Sequence, residues 1–250
     1  MFPPQSTDEP MRFAILGDIH ANLHALHAVL ADATEQKVTH HICMGDIVGY
    51  CAYPKECVNI IRELDCPAVR GNHDEQVSKE IIQEGLNPLA KKALNWTRSQ
   101  LNPDDMQWLR ELRLQRLVRD FTIVHSTLDT PHKWGYVNTE LDAAANFSYQ
   151  RTSICFIGHT HVPVAYMKEG KCRTIPLDTL PINANQKYLI NVGSVGQPRD
   201  LDWRAAYCIY DTERHEVELR RVEYDLRSAQ EAIVAAGLPE KLATRLEKGC

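Results

Sequence analysis

The sequence has no C-x-x-C pair, no internal repeat, no low-complexity tract and no apolar run near the roughly 18 residues that a membrane helix needs. Those absences exclude a thiolate zinc knuckle, a solenoid and a spanning helix. Residues 1–10 carry prolines and acids around no apolar core, so no secretory signal is expected and a reducing, cytoplasmic setting follows. The eight cysteines are therefore not expected to form disulfides; Cys43 and Cys155, inside apolar strand-like runs, read as small buried hydrophobes. Excess positive charge is also missing. With 28 Lys+Arg against 33 Asp+Glu the net charge is −5, which argues against a general nucleic-acid binder. It leaves room for a small phosphorylated substrate, because bound metals can supply positive charge locally.

What is present is an ordinary globular composition, 44% hydrophobic and 24% charged over 250 residues, enough for one substantial core. The expected organisation is a disordered or extended tail at residues 1–10 and a single domain over 11–250. Apolar runs at 13–16 and 41–44, each followed by a helical pattern, and a brief third strand at Ala68 and Val69 imply a parallel sheet with crossovers. Helices are expected at 88–99 and after Asn102-Pro103-Asp104-Asp105, where a cap residue precedes proline and two acids. Strands follow at 121–124 and 154–157. The second half reads as strands at 164–167, 173–175, 188–192, 206–210 and 217–222, and the chain is expected to close with a helix over 226–236.

Five polar clusters each follow a strand: Asp18-Ile19-His20, Gly45-Asp46, Gly71-Asn72-His73-Asp74, His125 and Gly158-His159-Thr160-His161. Ligands of open α/β sheets gather outside the carboxyl ends of the strands, so these groups should point into one crevice. Oxygen and imidazole donors without thiolate suit hard-to-borderline divalent ions. Two such ions outweigh two aspartates and a hydroxide, leaving about one positive charge for an anionic phosphate. Each cluster alone is weak; the ordered set is specific.

That order resembles the calcineurin-like metallophosphoesterase superfamily. Leu16-Gly17-Asp18-Ile19-His20-Ala21-Asn22-Leu23, Gly45-Asp46-Ile47-Val48-Gly49-Tyr50 and Asn191-Val192-Gly193-Ser194-Val195-Gly196-Gln197-Pro198-Arg199 are similar to a compact bacterial branch of it. The resemblance implies a four-layer α/β sandwich of two mixed β-sheets flanked by helices. It implies two divalent metal ions (manganese, iron, zinc or nickel): Asp18, His20 and His161 on one, Asn72, His125 and His159 on the other, Asp46 bridging. It further implies phosphoester hydrolysis by a metal-bridging hydroxide, phosphodiesters favoured over monoesters, nucleotides among the candidate substrates. His73 would touch a phosphate oxygen or protonate the leaving group, and Asp74 would orient His73 and raise its pKa. The rival reading is an inactive metal-binding scaffold for protein–protein interaction.

Other residues carry two readings. Asn22 is a helix cap or a group that steadies His20 or a phosphate. Arg199 contacts substrate or pairs with Asp200 or Asp202. Trp134 is a core residue or, with Tyr136, an aromatic rim. His24 belongs to a partly exposed helix face or supports the site. The stretch Arg110, Arg113, Arg116, Arg119 reads as a solvated face.

Overall fold

Period-two alternation sorts the strand residues between different cores. The computed structural model describes residues 11–81, 83, 85 and 87–250; the tail expected at 1–10 lies outside the described residues. In β1 (Arg12–Leu16), Phe13 and Ile15 face one core, Ala14 and Leu16 another. Helix α1 (Leu23–Glu35) carries the chain to β2 (His40–Cys43), which pairs in parallel with β1. Helices α2 (Pro54–Glu63), α3 (Asn72–Ser78), α4 (Pro88–Gln100) and α5 (Pro103–Glu111) follow. At α5 the expected cap forms in full: Asn102 Oδ1 accepts from the Asp105 N–H at 2.9 Å and the Asp105 carboxylate accepts from the Asn102 N–H at 3.0 Å.

Strands β3 (Gln115–Val118) and β4 (Phe121–Val124), helix α6 (Glu140–Phe147) and strand β5 (Ile154–Ile157) come next. The hairpin β6 (Val164–Glu169) and β7 (Lys171–Ile175) leads through β8 (Thr179–Pro181) to β9 (Lys187–Asn191), β10 (Ala205–Asp211) and β11 (Glu216–Val222). Helices α7 (Leu226–Ala235) and α8 (Glu240–Lys248) complete the order. One sheet runs β2-β1-β10-β11-β8, the other β3-β4-β5-β9-β6-β7. Both are mixed: β1 pairs antiparallel with β10, and β9 lies parallel to β5 but antiparallel to β6.

The sheets pack face to face over Phe13, Ile15, Ile42, Phe121, Phe156, Ile190 and Tyr210. Phe121 meets Phe13, Phe156 and Tyr210 edge to face at 5.3, 5.5 and 5.7 Å, each contact adding about 0.5–1.5 kcal/mol beyond area burial. Side chains of α1, α2, α4, α7 and α8 pack on the outer face of the first sheet, and Ala143 and Phe147 of α6 on that of the second. This is the expected four-layer sandwich. Cys43 and Cys155 are fully buried as expected, and all eight cysteines are unpaired. Among the described residues no helix is long and apolar enough to cross a membrane.

Three local expectations are corrected. The brief third strand is only two isolated bridges, Cys43 with Ala68 and Val69 with Arg113, because the chain turns at once into α3. The arginine-rich stretch, solvated as expected at Arg110, Arg113 and Arg119, also holds an edge strand that was not expected, β3, paired antiparallel with β4. Its side chains are mostly solvated, so alternation of apolar and polar residues is faint. The helix ending before Gly237 is not the last element. Pro239 caps α8, whose Leu242, Ala243 and Leu246 are buried; the glycine and proline that mark one helix's end also hide the next one's start.

Candidate metal centre

Strand ends feed one crevice. β1 stops at Leu16 and the chain turns at Asp18; β2 stops at Cys43 and turns at Asp46; β4 stops just before His125, and β5 just before Gly158 and His159. Backbone bonds lock these turns together: Asp18 N–H to Gly45 O (3.1 Å), His20 N–H to Asp46 O (2.9 Å) and Gly158 N–H to His125 O (2.9 Å). Asp18, His20, Asp46, His159 and His161 all hold φ between 49° and 70°. Non-glycine residues enter that region at a cost of order 1–3 kcal/mol each, and such strain gathers at functional sites. Gly71 lets two turns touch: a Cβ there would lie 2.0 Å from Asp46 Oδ1.

The fold gathers the predicted ligand residues into two groups with one shared member. Ligand atoms of Asp18, His20, Asp46 and His161 lie within 4.8 Å of one another, as do those of Asp46, His125 and His159. Asp46 Oδ2 sits 3.6 Å from His20 Nε2 and 3.4 Å from His125 Nε2, between the two groups. Asn72 Oδ1 joins the second group, 3.2 Å from His125 Nε2. The remaining carboxylate oxygens are used internally: His159 N–H donates to Asp18 Oδ2 and His73 N–H to Asp46 Oδ1.

Tautomers decide what these atoms can bind. Nδ1 of His20, His125 and His161 faces the carbonyls of Val48 (3.1 Å), Met44 (2.8 Å) and Gln197 (2.6 Å), whereas His159 uses Nε2 toward Trp134 O (2.9 Å). A carbonyl only accepts, so each of those nitrogens carries the proton, and in the neutral ring the other presents a lone pair. The lone pairs of His20 and His161 then confront each other at 3.1 Å. His125 Nε2 faces Asn72 Oδ1 and Asp46 Oδ2, where Asp46 favours a second ring proton that a metal ion would replace, and Asp18 Oδ1 is buried without a hydrogen bond. Converging buried acceptors repel unless a cation lies among them, and histidines oriented by carbonyls through the far nitrogen are the usual metal-ligand arrangement. The residues fit divalent ions.

Charge agrees. Burial alone would raise Asp18 and Asp46, but His161 beside the first and His125 beside the second hold both below the usual carboxylate range. Burial would lower His125 too, yet Asp46 and then Asp18 lift it to about 9. Burial depresses His20 and His161, takes His73 to about 4 and His159 to about 3. A histidine with a depressed folded pKa contributes stability that is present above its unfolded value and lost as pH falls through the folded one. Four histidines act this way as pH falls below about 6.5, His73 down to about 4 and His159 to about 3. Asp74, raised to about 7 by burial and then by Asp46, opposes them. His125, raised, contributes stability that is present below about pH 6.5 and lost as pH rises to about 9. The chelated protein is expected to be most stable near pH 6.5, each net proton changing stability by about 1.4 kcal/mol per pH unit. Thermal denaturation in chelator from pH 4 to 9 checks this; a flat Tm would contradict it.

One expected role changes, and the structure shows where the residues with two readings lie. Asp74 does not orient His73: its carboxylate accepts from the N–H groups of Gly71 (3.0 Å), Ile47 (2.9 Å) and Val48 (3.3 Å), tying the start of α3 to the Asp46 turn. A short side chain at the third helical position reaches its own cap more readily than a neighbouring ring. Asn22 spends its amide within the fold, Oδ1 accepting from Ala25 N–H and Nδ2 donating to Gly196 O, so it caps α1 and anchors the 193–199 loop. Trp134 is half-buried outside the cores and donates Nε1–H to Glu75 Oε2 at 2.9 Å, while exposed Tyr136 stacks on His159 at 4.2 Å. Arg199 has no ion pair among the described residues, because Asp200 goes to Arg221 and Asp202 to Arg204. His24 is half-buried, its ring edge-on to Tyr53.

His73 lies beside both groups, its ring 4.8 Å from His20 and 4.5 Å from Tyr50. Its Nδ1 is buried without a partner against Gly49, whose φ of +95° brings the backbone so close that a Cβ would lie 2.4 Å away. The orienting carbonyls of Met44, Val48, Trp134 and Gln197 escape sequence reading, since every residue type carries one. Ser194 Oγ donates to Asp18 O, and Asn191 Nδ2 to Gly158 O, joining the 193–199 loop to the ligand turns. Their only signal was a run of small and amide residues directly after a buried strand.

The sequence model of the calcineurin-like phosphoesterase superfamily domain matches residues 11–215. Uncharacterized protein MJ0912 of Methanocaldococcus jannaschii is 37% identical over 241 residues, covering 94% of this chain and 97% of its own. The crystal structure of a metallophosphoesterase from Sphaerobacter thermophilus superposes with a TM-score of 0.87 at 39% identity, over 97% of this chain and 100% of that one. Hypothetical protein PH1004 from Pyrococcus horikoshii OT3 shares the fold, with a TM-score of 0.80 at 20% identity over 96% of this chain and 99% of its own. The match runs through every strand end that feeds the polar crevice, and the chain belongs to the calcineurin-like phosphoesterase superfamily.

Proposed function

We propose that the chain is a phosphoester hydrolase using two divalent ions and acting on phosphodiesters in preference to monoesters. Asp18, His20 and His161 hold one ion, Asn72, His125 and His159 the other, and Asp46 bridges them. The confrontation of the His20 and His161 lone pairs at 3.1 Å is the observation that carries this reading. When bound, the ions supply Lewis acidity, acidifying a water and neutralising charge on phosphate oxygens.

The chain's own residues set the rest. Carbonyls of Met44, Val48, Trp134 and Gln197 orient the four imidazoles, so that three present Nε2 and His159 presents Nδ1; His125, lifted to about 9, gives up its second ring proton when an ion is bound. His73 rests neutral, because burial takes it to about 4. An anionic phosphate against its ring raises its proton affinity, so it takes up a proton with substrate and gives it to the departing alkoxide. The diester preference rests on charge. Two divalent ions balanced by two aspartates and a hydroxide retain about one positive charge, which matches a phosphodiester better than a monoester carrying roughly −1.5 to −2. Eight unpaired cysteines, three of them (Cys43, Cys155 and Cys208) fully buried in strands, support a reducing, cytoplasmic setting.

The test is hydrolysis of aryl phosphodiester and aryl phosphomonoester by protein supplemented in turn with manganese, iron, zinc and nickel. Turnover of both, with a higher kcat/KM for the diester, is expected. No turnover of either with any metal would favour the scaffold reading instead.

A further inference from the structure

Beyond His73 the crevice continues over Tyr50. This tyrosine holds φ 65° after Gly49, and its buried ring lies 4.7 Å from His20 and 4.5 Å from His73. Two guanidiniums approach the same ring: Arg199 Cζ at 5.9 Å and Arg245 Cζ at 6.0 Å from its centre. They come from distant segments, the loop after β9 and helix α8, and both are half-buried.

Neither arginine pairs with an aspartate or glutamate side chain among the described residues. Asp200 and Asp202, nearest to Arg199 in sequence, pair with Arg221 and Arg204. Arg199 Nη2 donates to the neutral Gln197 amide at 3.2 Å, and its Nε is buried without a hydrogen bond. Arg245 donates Nε–H to the backbone oxygen of Cys250. Burial and the nearby Arg199 hold Arg245 below its ordinary value, as expected of like charges side by side. Two half-buried cations on one ring are offset only in part by the π-face, and an unpaired donor there is costly. An anion received between them would remove both costs, and a guanidinium fork matches phosphate in two bonds.

We propose that Arg199, Arg245 and the Tyr50 ring form a second anion subsite, which takes a further phosphate of a substrate whose scissile phosphoester lies at the metal centre. This rests on the phosphoesterase reading above and narrows it to substrates with at least two phosphates. Arg245, on α8, then acts in substrate choice, although no sequence signal separates it from the other surface arginines.

The probes are inorganic phosphate and methylenediphosphonate, titrated calorimetrically into manganese-loaded full-length protein. Wild type should bind the diphosphonate about 10- to 100-fold more tightly than phosphate, as one or two charge-assisted contacts allow. Arg199→Gln and Arg245→Gln should each collapse that ratio by about tenfold, and Arg245→Lys should keep part of it. Metal content and Tm, measured on every variant, identify any that fails to fold; the lysine variant then carries the comparison. A ratio unchanged in both glutamine variants, or no preference in wild type that still hydrolyses an aryl phosphoester, overturns the subsite alone. Wild type that binds neither probe and hydrolyses no ester overturns the phosphoesterase reading and the subsite with it.

Discussion

Replacing His73 with alanine is expected to lower kcat for an aryl phosphodiester by about 10²- to 10⁴-fold, the range typical of a positioned acid or base. The metal content should stay the same. The main-chain N–H of His73 donates to Asp46 Oδ1 at 2.8 Å, and that bond survives removal of the ring. None of the interatomic distances within the two ligand groups involves the His73 imidazole. What disappears is the imidazole against Tyr50 and His20, which borders the ligand groups without belonging to either. The loss should fall on kcat more than on KM if the ring donates its proton in the transition state, and on both if it only holds a phosphate oxygen. The pH–rate profile separates the cases, because the variant should lose the limb belonging to His73. Equal rates in variant and wild type, at equal metal content, would remove His73 from the mechanism.

Asp46→Asn is expected to abolish turnover and leave the protein with at most one tightly held ion. Asp46 is the residue common to both ligand groups, and its Oδ2 stands between His20 and His125. An amide keeps the shape and the Oδ1 acceptor for the His73 N–H, so the turn built on Gly71 and Asp74 should persist. It removes the negative charge that two divalent ions would share. Affinity should therefore fall by more than the roughly 10- to 100-fold that loss of an outer partner costs. The charge that lifts His125 to about 9 goes too, so His125 should titrate lower in the metal-free variant. Elemental analysis and thermal denaturation with and without chelator check both points. Wild type should lose Tm on chelation while Asp46→Asn responds weakly. Two ions and normal rates in the variant would refute the bridging role.

Much of the site was legible before the fold was known. Asp18, His20, Asp46, Asn72, His125, His159 and His161 each follow a strand-like run, and a strand end is where an α/β sheet exposes its side chains to a common crevice. Asp74 was legible as a residue type but misassigned in role, and for Asn22 the structure upholds the cap, one of its two readings. Both are short polar side chains at helix starts, where the local backbone competes with any distant target and wins by proximity. Arg245 was not legible at all. It lies more than 190 residues along the chain from Tyr50, and only the packing of α8 against the first sheet brings them together.

By itself the sequence determined the strand and helix runs, the donor types and the ordered set of strand ends, because alternation, caps and turn residues act over a few positions; the four-layer architecture was implied by the family resemblance that this order carries. The tertiary structure decided which ring nitrogen of each candidate ligand histidine faces the crevice. Main-chain carbonyls of Met44, Val48, Trp134 and Gln197, distant in sequence from the rings they orient, protonate three histidines at Nδ1 and His159 at Nε2. A hydrogen bond to a carbonyl leaves no trace in residue identity, so the direction of every lone pair in the site is a property of the fold.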